Sequence, residues 1–147
     1  MSSACHDERP FFQIFMQKSK ILLIDDEPGL LRLMALMLSA RGRYEVRTVS
    51  DASQALATAI ECKPDLVILD WIMPDLSGGD VAILIRNDPC ISNSPILVLS
   101  AVILKRDKSN ELAGFPAVAK PVGVDELVEA IEEQLEQGGR RTEGIAA

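Results

Sequence analysis

The chain has 147 residues, close to the roughly 150 of a typical domain, which predicts one domain with a sizeable core. Hydrophobic residues make up 48% and charged residues 25% of the chain, ordinary values for a globular protein that exclude a disordered or fibrous chain. The 22 acidic residues against 15 basic ones leave a net charge of −7, which disfavours direct binding to nucleic acid or to an anionic membrane.

The cysteines and the first apolar run indicate where the protein works. Cys5, Cys62 and Cys90 are scattered and have no C-x-x-C spacing, which argues against a disulfide framework and against a zinc site. The apolar run Phe11–Met16 is interrupted by Gln13 and is too short to span a membrane. We therefore expect a cytoplasmic protein.

Short apolar runs alternate with segments of helical periodicity along the chain. The runs are residues 21–24, 46–49, 66–69, 96–99 and 117–119. Three of them are continuous, as is typical of strands buried on both faces of a parallel sheet. Apolar residues recur at helical spacing over residues 30–38, 52–60 and 127–135. The pattern predicts an α/β protein with β-α repeated five times and helices on both faces of a doubly wound sheet.

The predicted strands end in polar residues that carry chemistry. Asp25 and Asp26 follow the first strand, Asp70 ends the third, Ser100 ends the fourth, and Lys120 follows the fifth. One Asp after a strand is more often a helix cap or turn residue than a ligand. In a parallel sheet, however, all five groups fall at the carboxyl edge, where such folds bind their ligands.

The predicted edge suits a phosphoryl group. Three neighbouring carboxylates repel one another and need a cation or a proton, and Mg²⁺ prefers oxygen ligands. No His or Cys lies in these motifs, so zinc and copper are disfavoured. Lys120 offers a positive charge and Ser100 a hydroxyl donor. An Asp can itself accept a phosphoryl group as an acyl phosphate.

Four motifs in the expected order resemble the receiver domains of two-component response regulators. The segment Ile21–Pro28 resembles the opening strand with its acidic pair, and Asp70–Gly78 is similar to the D-x-x-M-P-x-x-x-G phosphoacceptor motif. The segment Pro95–Ala101 resembles the fourth strand with its terminal Ser/Thr-Ala, and Lys120-Pro121 the closing Lys-Pro. The likeness covers about residues 19–137.

The resemblance implies a fold and a role for each site residue. The fold would be flavodoxin-like, with five parallel strands in the order 2-1-3-4-5. Asp70 would be the phosphoacceptor, and Mg²⁺ would be held by Asp25, Asp26, Asp70 and the backbone carbonyl of Ile72. Ser100 would donate a hydrogen bond to the phosphoryl group.

The same resemblance implies how the protein is used. Lys120 would pair with the phosphoryl group, and the Lys120-Pro121 peptide bond would be cis. The protein would be a regulatory phosphoacceptor and not an enzyme in the usual sense. Its donor would be a histidine kinase or a histidine phosphotransfer protein, and its output a contact with a downstream target protein.

The chain departs from the family pattern at the fifth strand. Receivers often carry Tyr or Phe three residues before the lysine, where this chain has Ala117, and Phe115 lies two residues earlier. The conformational signal is therefore expected to pass through residues 101–110, whose basic side chains fit an acidic partner. Gly78 and Gly79 are expected to form a loop with unusual backbone angles.

The segments outside the receiver region carry no assigned chemistry. Residues 1–18 form a Phe-rich arm that docks on the chain itself, joins a dimer or partner, or stays loose. Residues 138–147 are predicted to be a flexible tail, so the domain is expected to stand alone without an output domain.

Two other functions compete with the phosphorylated switch. A binding module of the same fold would work without phosphate, but such receivers normally lose an acidic residue, the acceptor or the lysine. A Mg²⁺-dependent phosphohydrolase would need a second acid two residues after the nucleophile, where this chain has Ile72. A dinucleotide-binding role fails because no G-x-G-x-x-G follows a strand.

Overall fold

A computed structural model of the chain describes residues 18–101 and 111–146, with side chains as far as residue 138. Four helices in this part of the chain are α1 (Pro28–Ser39), α2 (Ala55–Cys62), α3 (Gly78–Asn87) and α4 (Val124–Ala146), and a short 3-10 helix at Ala52–Gln54 leads into α2. The strands are β1 (Ser19–Ile24), β2 (Tyr44–Val49), β3 (Leu66–Asp70), β4 (Ile96–Ser100), β5 (Glu111–Leu112) and β6 (Phe115–Ala119).

The strands form one sheet in the order β2-β1-β3-β4-β6-β5. All neighbours are parallel except β5 and β6, which form an antiparallel hairpin. Because β6 is the predicted fifth strand, the predicted order 2-1-3-4-5 is confirmed. The hairpin adds two residues of antiparallel strand at the sheet edge, which the sequence pattern did not predict.

The two faces of the sheet have separate apolar cores, as a doubly wound sheet requires. Alternate side chains of β1, β3 and β4 pack against α2 and α3 on one face and against α1 and α4 on the other. Leu22 and Leu69 belong to the first core, and Leu23 and Ile68 to the second. The continuous apolar runs are therefore buried on both sides, and the predicted α/β architecture is confirmed.

The hairpin turn explains why two residues suffice to connect β5 and β6. Ala113 and Gly114 both have positive φ, at 53° and 85°. Positive φ at both central residues is the pattern of a tight hairpin turn whose twist matches that of the flanking strands. The fourth crossover, residues 102–110, lies outside the described residues, as does the arm up to residue 17.

The last helix continues past the position where the composition predicts a tail. It runs through Gly138 and Gly139 to Ala146. At Gly138 an added Cβ would lie 3.2 Å from Cγ of Pro95, so the absence of a side chain allows the helix to pass this loop closely. The domain limits 19–137 themselves stay a prediction.

The described cysteines correct one expectation. Cys62 is a free, half-buried thiol, and burial raises its pKa. Cys90 is disulfide-bonded, so the expectation that the cysteines form no disulfide is wrong at this residue. Within the described ranges, no helix combines the length and the apolar character needed to cross a membrane.

Candidate functional site

Parallel strands bring the predicted site residues together at the carboxyl edge of the sheet. The backbone N–H of Asp25 donates to the carbonyl of Val49 at 3.2 Å, which continues the ladder between β1 and β2. The N–H of Lys120 donates to the carbonyl of Ser100 at 3.0 Å, which does the same for β4 and β6. Asp70 is the last residue of β3. The strand ladders therefore fix the backbone on both sides of Asp70.

Three carboxylates meet at this edge. Asp25, Asp26 and Asp70 each present an oxygen, and these oxygens all lie within 4.8 Å of one another. Asp25 and Asp70 are almost fully buried, with 1% and 6% of their surface exposed, whereas Asp26 is half-buried. A partly buried group of like charges is unfavourable without a cation or a proton.

Lys120 supplies one positive charge to the cluster. Its Nζ lies 2.9 Å from Oδ2 of Asp25 and 3.3 Å from Oδ1 of Asp70. Burial lowers the pKa of Lys120, but the two carboxylates outweigh this effect and raise the pKa above its usual value. Lys120 therefore stays charged and links β1, β3 and β6.

The negative charge of the Asp70 carboxylate is only partly compensated. Burial raises the pKa of Asp70 to about 6, and the neighbouring charge of Asp25 adds to this rise. Lys120 opposes it, and Asp26 contributes through a hydrogen bond that favours a proton on Asp70. The single positive charge of Lys120 therefore does not neutralise the three carboxylates.

Ser100 and Ile72 complete the predicted set. Ser100 is completely buried at the end of β4. The N–H of Ile72 donates to Oδ1 of Asp70 at 3.4 Å, which folds the loop back towards that carboxylate. The side chain of Ile72 is 58% exposed beside the site. The Lys120-Pro121 peptide bond is cis, as the resemblance implied.

Gly78 has a role that the sequence did not indicate. Neither Gly78 nor Gly79 has positive φ, so the expectation of unusual backbone angles is wrong. Instead, an added Cβ at Gly78 would lie 2.5 Å from the carbonyl oxygen of Asp70 and 2.6 Å from Cα of Trp71. The N-terminus of α3 therefore packs directly on the backbone of Asp70 and Trp71, and only glycine fits there.

A backbone contact and a helix cap were also missed. The N–H of Glu27 donates to Oδ1 of Asp25 at 2.9 Å, which leaves Oδ2 for Lys120. Ser77 accepts from the N–H of Asp80 and Asp80 accepts from the N–H of Ser77, a reciprocal capping box at the start of α3. The sequence Ser77-x-x-Asp80 could have revealed this cap.

Comparison with known proteins assigns the chain to a family. Residues 21–132 match the response regulator receiver domain, which covers more than half of the chain. The chain therefore belongs to the response regulator receiver domain family of two-component systems. The predicted resemblance is confirmed.

Curated relatives are longer proteins. The transcriptional regulatory protein KdpE of Mycobacterium tuberculosis is 41% identical over 113 residues, covering 74% of this chain and 47% of that protein. The phosphate regulon transcriptional regulatory protein PhoB of Pseudomonas aeruginosa is 32% identical, covering 81% of this chain and 52% of that protein. The chain spans about half the length of these relatives.

Solved structures agree with the fold. A response regulator from Desulfuromonas acetoxidans has a TM-score of 0.71 at 26% identity and covers 81% of this chain and 98% of that chain. The receiver domain of a sensor histidine kinase from Pseudomonas aeruginosa has a TM-score of 0.70 at 29% identity, with coverage of 81% and 98%. That structure holds a magnesium ion in its active-site cleft.

Proposed function

We propose that this protein is a phosphorylation-activated signalling switch. It would accept a phosphoryl group on Asp70 from a phosphohistidine of a sensor kinase or a phosphotransfer protein. The observation that carries the proposal is the pairing of a buried, under-compensated carboxylate with Lys120, which lies 3.3 Å from it. The family membership and the position at the end of β3 support the same residue.

The proposed reaction is a simple phosphoryl transfer. An Oδ atom of Asp70 attacks the phosphorus of the phosphohistidine, the P–N bond breaks as the P–O bond forms, and the imidazole leaves with the bonding electrons. Positioning and charge neutralisation are the main requirements of such a transfer. Lys120 would pair with a phosphoryl oxygen, and Ser100 would donate a hydrogen bond to another.

The donor set fits Mg²⁺. Asp25, Asp26 and Asp70 provide oxygen ligands alone, and Ile72 would add its backbone carbonyl. When bound, Mg²⁺ supplies positive charge that neutralises the carboxylates and the incoming phosphoryl oxygens. In the proposed resting site Lys120 already spans Asp25 and Asp70, so its Nζ is placed to move towards the phosphoryl group.

The output would be contact with another protein in the cytoplasm. A net charge of −7 supports a protein target over direct nucleic acid or membrane binding, and a homodimer would be a further contact. The domain would be regulatory, catalysing only its own phosphorylation and slow dephosphorylation.

Intact mass after incubation with acetyl phosphate and Mg²⁺ tests the proposal. We expect the wild type to gain one phosphoryl group and Asp70→Asn to gain none. Asp75→Asn is the matched control, because Asp75 is an exposed carboxylate in the same loop. Wild-type gain that persists in Asp70→Asn would show another acceptor.

Failure of the wild type to gain mass with any phosphodonor would favour the alternative, a receiver-like binding module that works without phosphate. Titration of Mg²⁺ against Trp71 fluorescence tests the metal site separately. We expect Asp25→Asn and Asp26→Asn to weaken Mg²⁺ binding, and unchanged affinity in both variants would refute the assigned ligands.

A further inference from the structure

A chain of three side chains leads from the acceptor to the far end of the sheet. Trp71 directly follows Asp70, and its ring centroid lies 6.4 Å from that of Phe115, with the two planes tilted by 51°. The guanidinium carbon of Arg86 lies 5.6 Å from the centroid of the Phe115 ring. All three side chains are partly buried on the α3 face of the sheet.

The backbone of Trp71 is held by two hydrogen bonds, so its ring is the part that can move when the charge at Asp70 changes. Its N–H donates to the carbonyl of Leu99 at 3.1 Å, and its carbonyl accepts from the N–H of Gly78 at 2.9 Å. Gly79 gives the ring room, since an added Cβ there would lie 3.3 Å from ring atom Cζ2. A change of charge at Asp70 can therefore affect the neighbouring side chains through a rotation of the Trp71 ring.

Phe115 also lies on the strand that leads to Lys120. It begins β6, and Lys120 directly follows the other end of this strand, five residues after Phe115. A phosphoryl group adds about one to two negative charges at neutral pH, which would draw Lys120 away from Asp25. Ala117, lying between them on β6, is too small to take up that movement with its own side chain.

Arg86 carries the contact to the loop between α3 and β4. Its Nη1 donates to the carbonyl of Ser92 at 3.0 Å and to that of Ser94 at 2.7 Å. The guanidinium thus holds the backbone of this loop while it lies over the Phe115 ring. A tilt of the Phe115 ring would therefore move the Arg86 guanidinium, which holds the backbone of this loop.

We propose that Phe115 is a relay residue that couples the phosphoryl state of Asp70 to loop 88–95 through Trp71 and Arg86. This inference rests on the proposed function. It differs from the route through residues 101–110 that the sequence predicts, because it uses an aromatic side chain five residues before the lysine. The responding surface is the amino end of the sheet, opposite to the phosphorylation site.

Amide hydrogen exchange of residues 88–94 tests the relay. The N–H groups of Ile91 and Ser94 are hydrogen-bonded within this loop, so a change in their protection is measurable. On addition of Mg²⁺ and beryllium fluoride, a phosphoryl mimic, we expect at least a threefold change of exchange in the wild type. In Phe115→Leu we expect less than a 1.5-fold change, although Trp71 fluorescence still responds to the mimic.

Variants separate the relay from a general loss of structure. Phe115→Tyr keeps the ring and is expected to keep the loop response, whereas Arg86→Gln is expected to lose it. Leu36→Ala, an exposed residue on the opposite face, is the control for a lost apolar side chain. A full loop response in either Phe115→Leu or Arg86→Gln would overturn the relay.

The same samples distinguish this proposal from the proposed function. If the wild type gains no phosphoryl group from acetyl phosphate and shows no Trp71 response to beryllium fluoride, the switch itself fails, and the relay fails with it. If phosphorylation is normal and the loop responds equally in the wild type and in Phe115→Leu, only the relay is refuted.

Discussion

Two polar regions at different places on the sheet use charge in opposite ways. At the carboxyl edge, Asp25, Asp26 and Asp70 gather like charges around a single Lys120. Between β2 and α4, the hydroxyl of Tyr44 donates to Glu132 at 2.7 Å, and Arg43 pairs with the same carboxylate at 3.2 Å.

The difference in how the charges are compensated indicates which region serves stability and which serves function. In the contact of Tyr44 and Arg43 with Glu132, which we call the β2–α4 contact, the carboxylate has complementary partners, so the polar groups connect one element to another. At the acidic edge the sequence keeps an excess of negative charge that costs stability until a cation binds. Such a site is typical of function, because selection for stability alone would remove it.

We expect the largest effect on stability from a substitution at Gly78, which lies against the backbone of the acidic edge. Gly78→Ala places a Cβ against the backbone of Asp70 and Trp71, neither of which can move without disturbing the strand ladder. We expect unfolding free energy to fall by about 2–3 kcal/mol in a urea titration. Gly29→Ala in α1 is the control, because nothing lies within 4 Å of an added Cβ there, and a similar loss in it would contradict the explanation.

Removing one charge from the acidic edge should make the metal-free protein more stable. Asp70→Asn relieves the repulsion with Asp25 and Asp26, and we expect a gain of about 1–2 kcal/mol at pH 7 without Mg²⁺. Added Mg²⁺ should stabilise the wild type more than the variant, so the difference shrinks. Thermal unfolding with and without Mg²⁺ measures both effects. Equal stability of the two proteins without the metal would show that the edge is already compensated.

Breaking the β2–α4 contact at Tyr44 should lower stability, in contrast to the gain expected for Asp70→Asn. Tyr44→Phe removes a hydrogen bond to Glu132 and is expected to cost about 1 kcal/mol at pH 7. Burial and the hydrogen bond to Glu132 raise the pKa of Tyr44 to about 12. Because this folded-state pKa lies above the ordinary value of 10.0, the contribution of Tyr44 is present below pH 10 and is lost as the pH rises towards 12.

The pH dependence of Tyr44 is measured as a difference between two proteins. Urea unfolding of the wild type and of Tyr44→Phe at pH 8, 10 and 11 removes the effect of other groups that titrate in this range. We expect the stability gap to narrow as the pH rises. A stability difference that stays constant with pH would show that folding does not raise the pKa of Tyr44, and would contradict its hydrogen bond to Glu132.

The smallest effect is expected at a separate, exposed ion pair to α4. Arg41 pairs with Asp125 at 2.8 Å, but the Asp125 side chain is 93% exposed. Exposed pairs of this kind contribute little, so Arg41→Gln should cost less than about 0.5 kcal/mol and the loss should vanish at high salt. A salt-independent loss of 1 kcal/mol or more would show that Arg41 contributes more than an exposed ion pair.

The sequence determined the parts that depend on local pattern and strand periodicity. Continuous apolar runs predicted strands buried on both faces, and residues placed at the ends of those runs predicted the shared edge. Because parallel strands put their carboxyl ends at one side, the sequence pattern alone predicts that Asp25, Asp70 and Lys120 lie close together.

Only the tertiary structure decided the features that depend on approach between distant segments. Three such features are the contact of Gly78 with the backbone of Asp70, the hairpin formed by β5 and β6, and the hydrogen bond from Tyr44 to Glu132. Each joins segments whose separation in space no periodicity encodes. The same holds for the line from Trp71 through Phe115 to Arg86. Local pattern specifies which face a residue occupies, whereas the packing of helices on the sheet specifies which side chain it meets there.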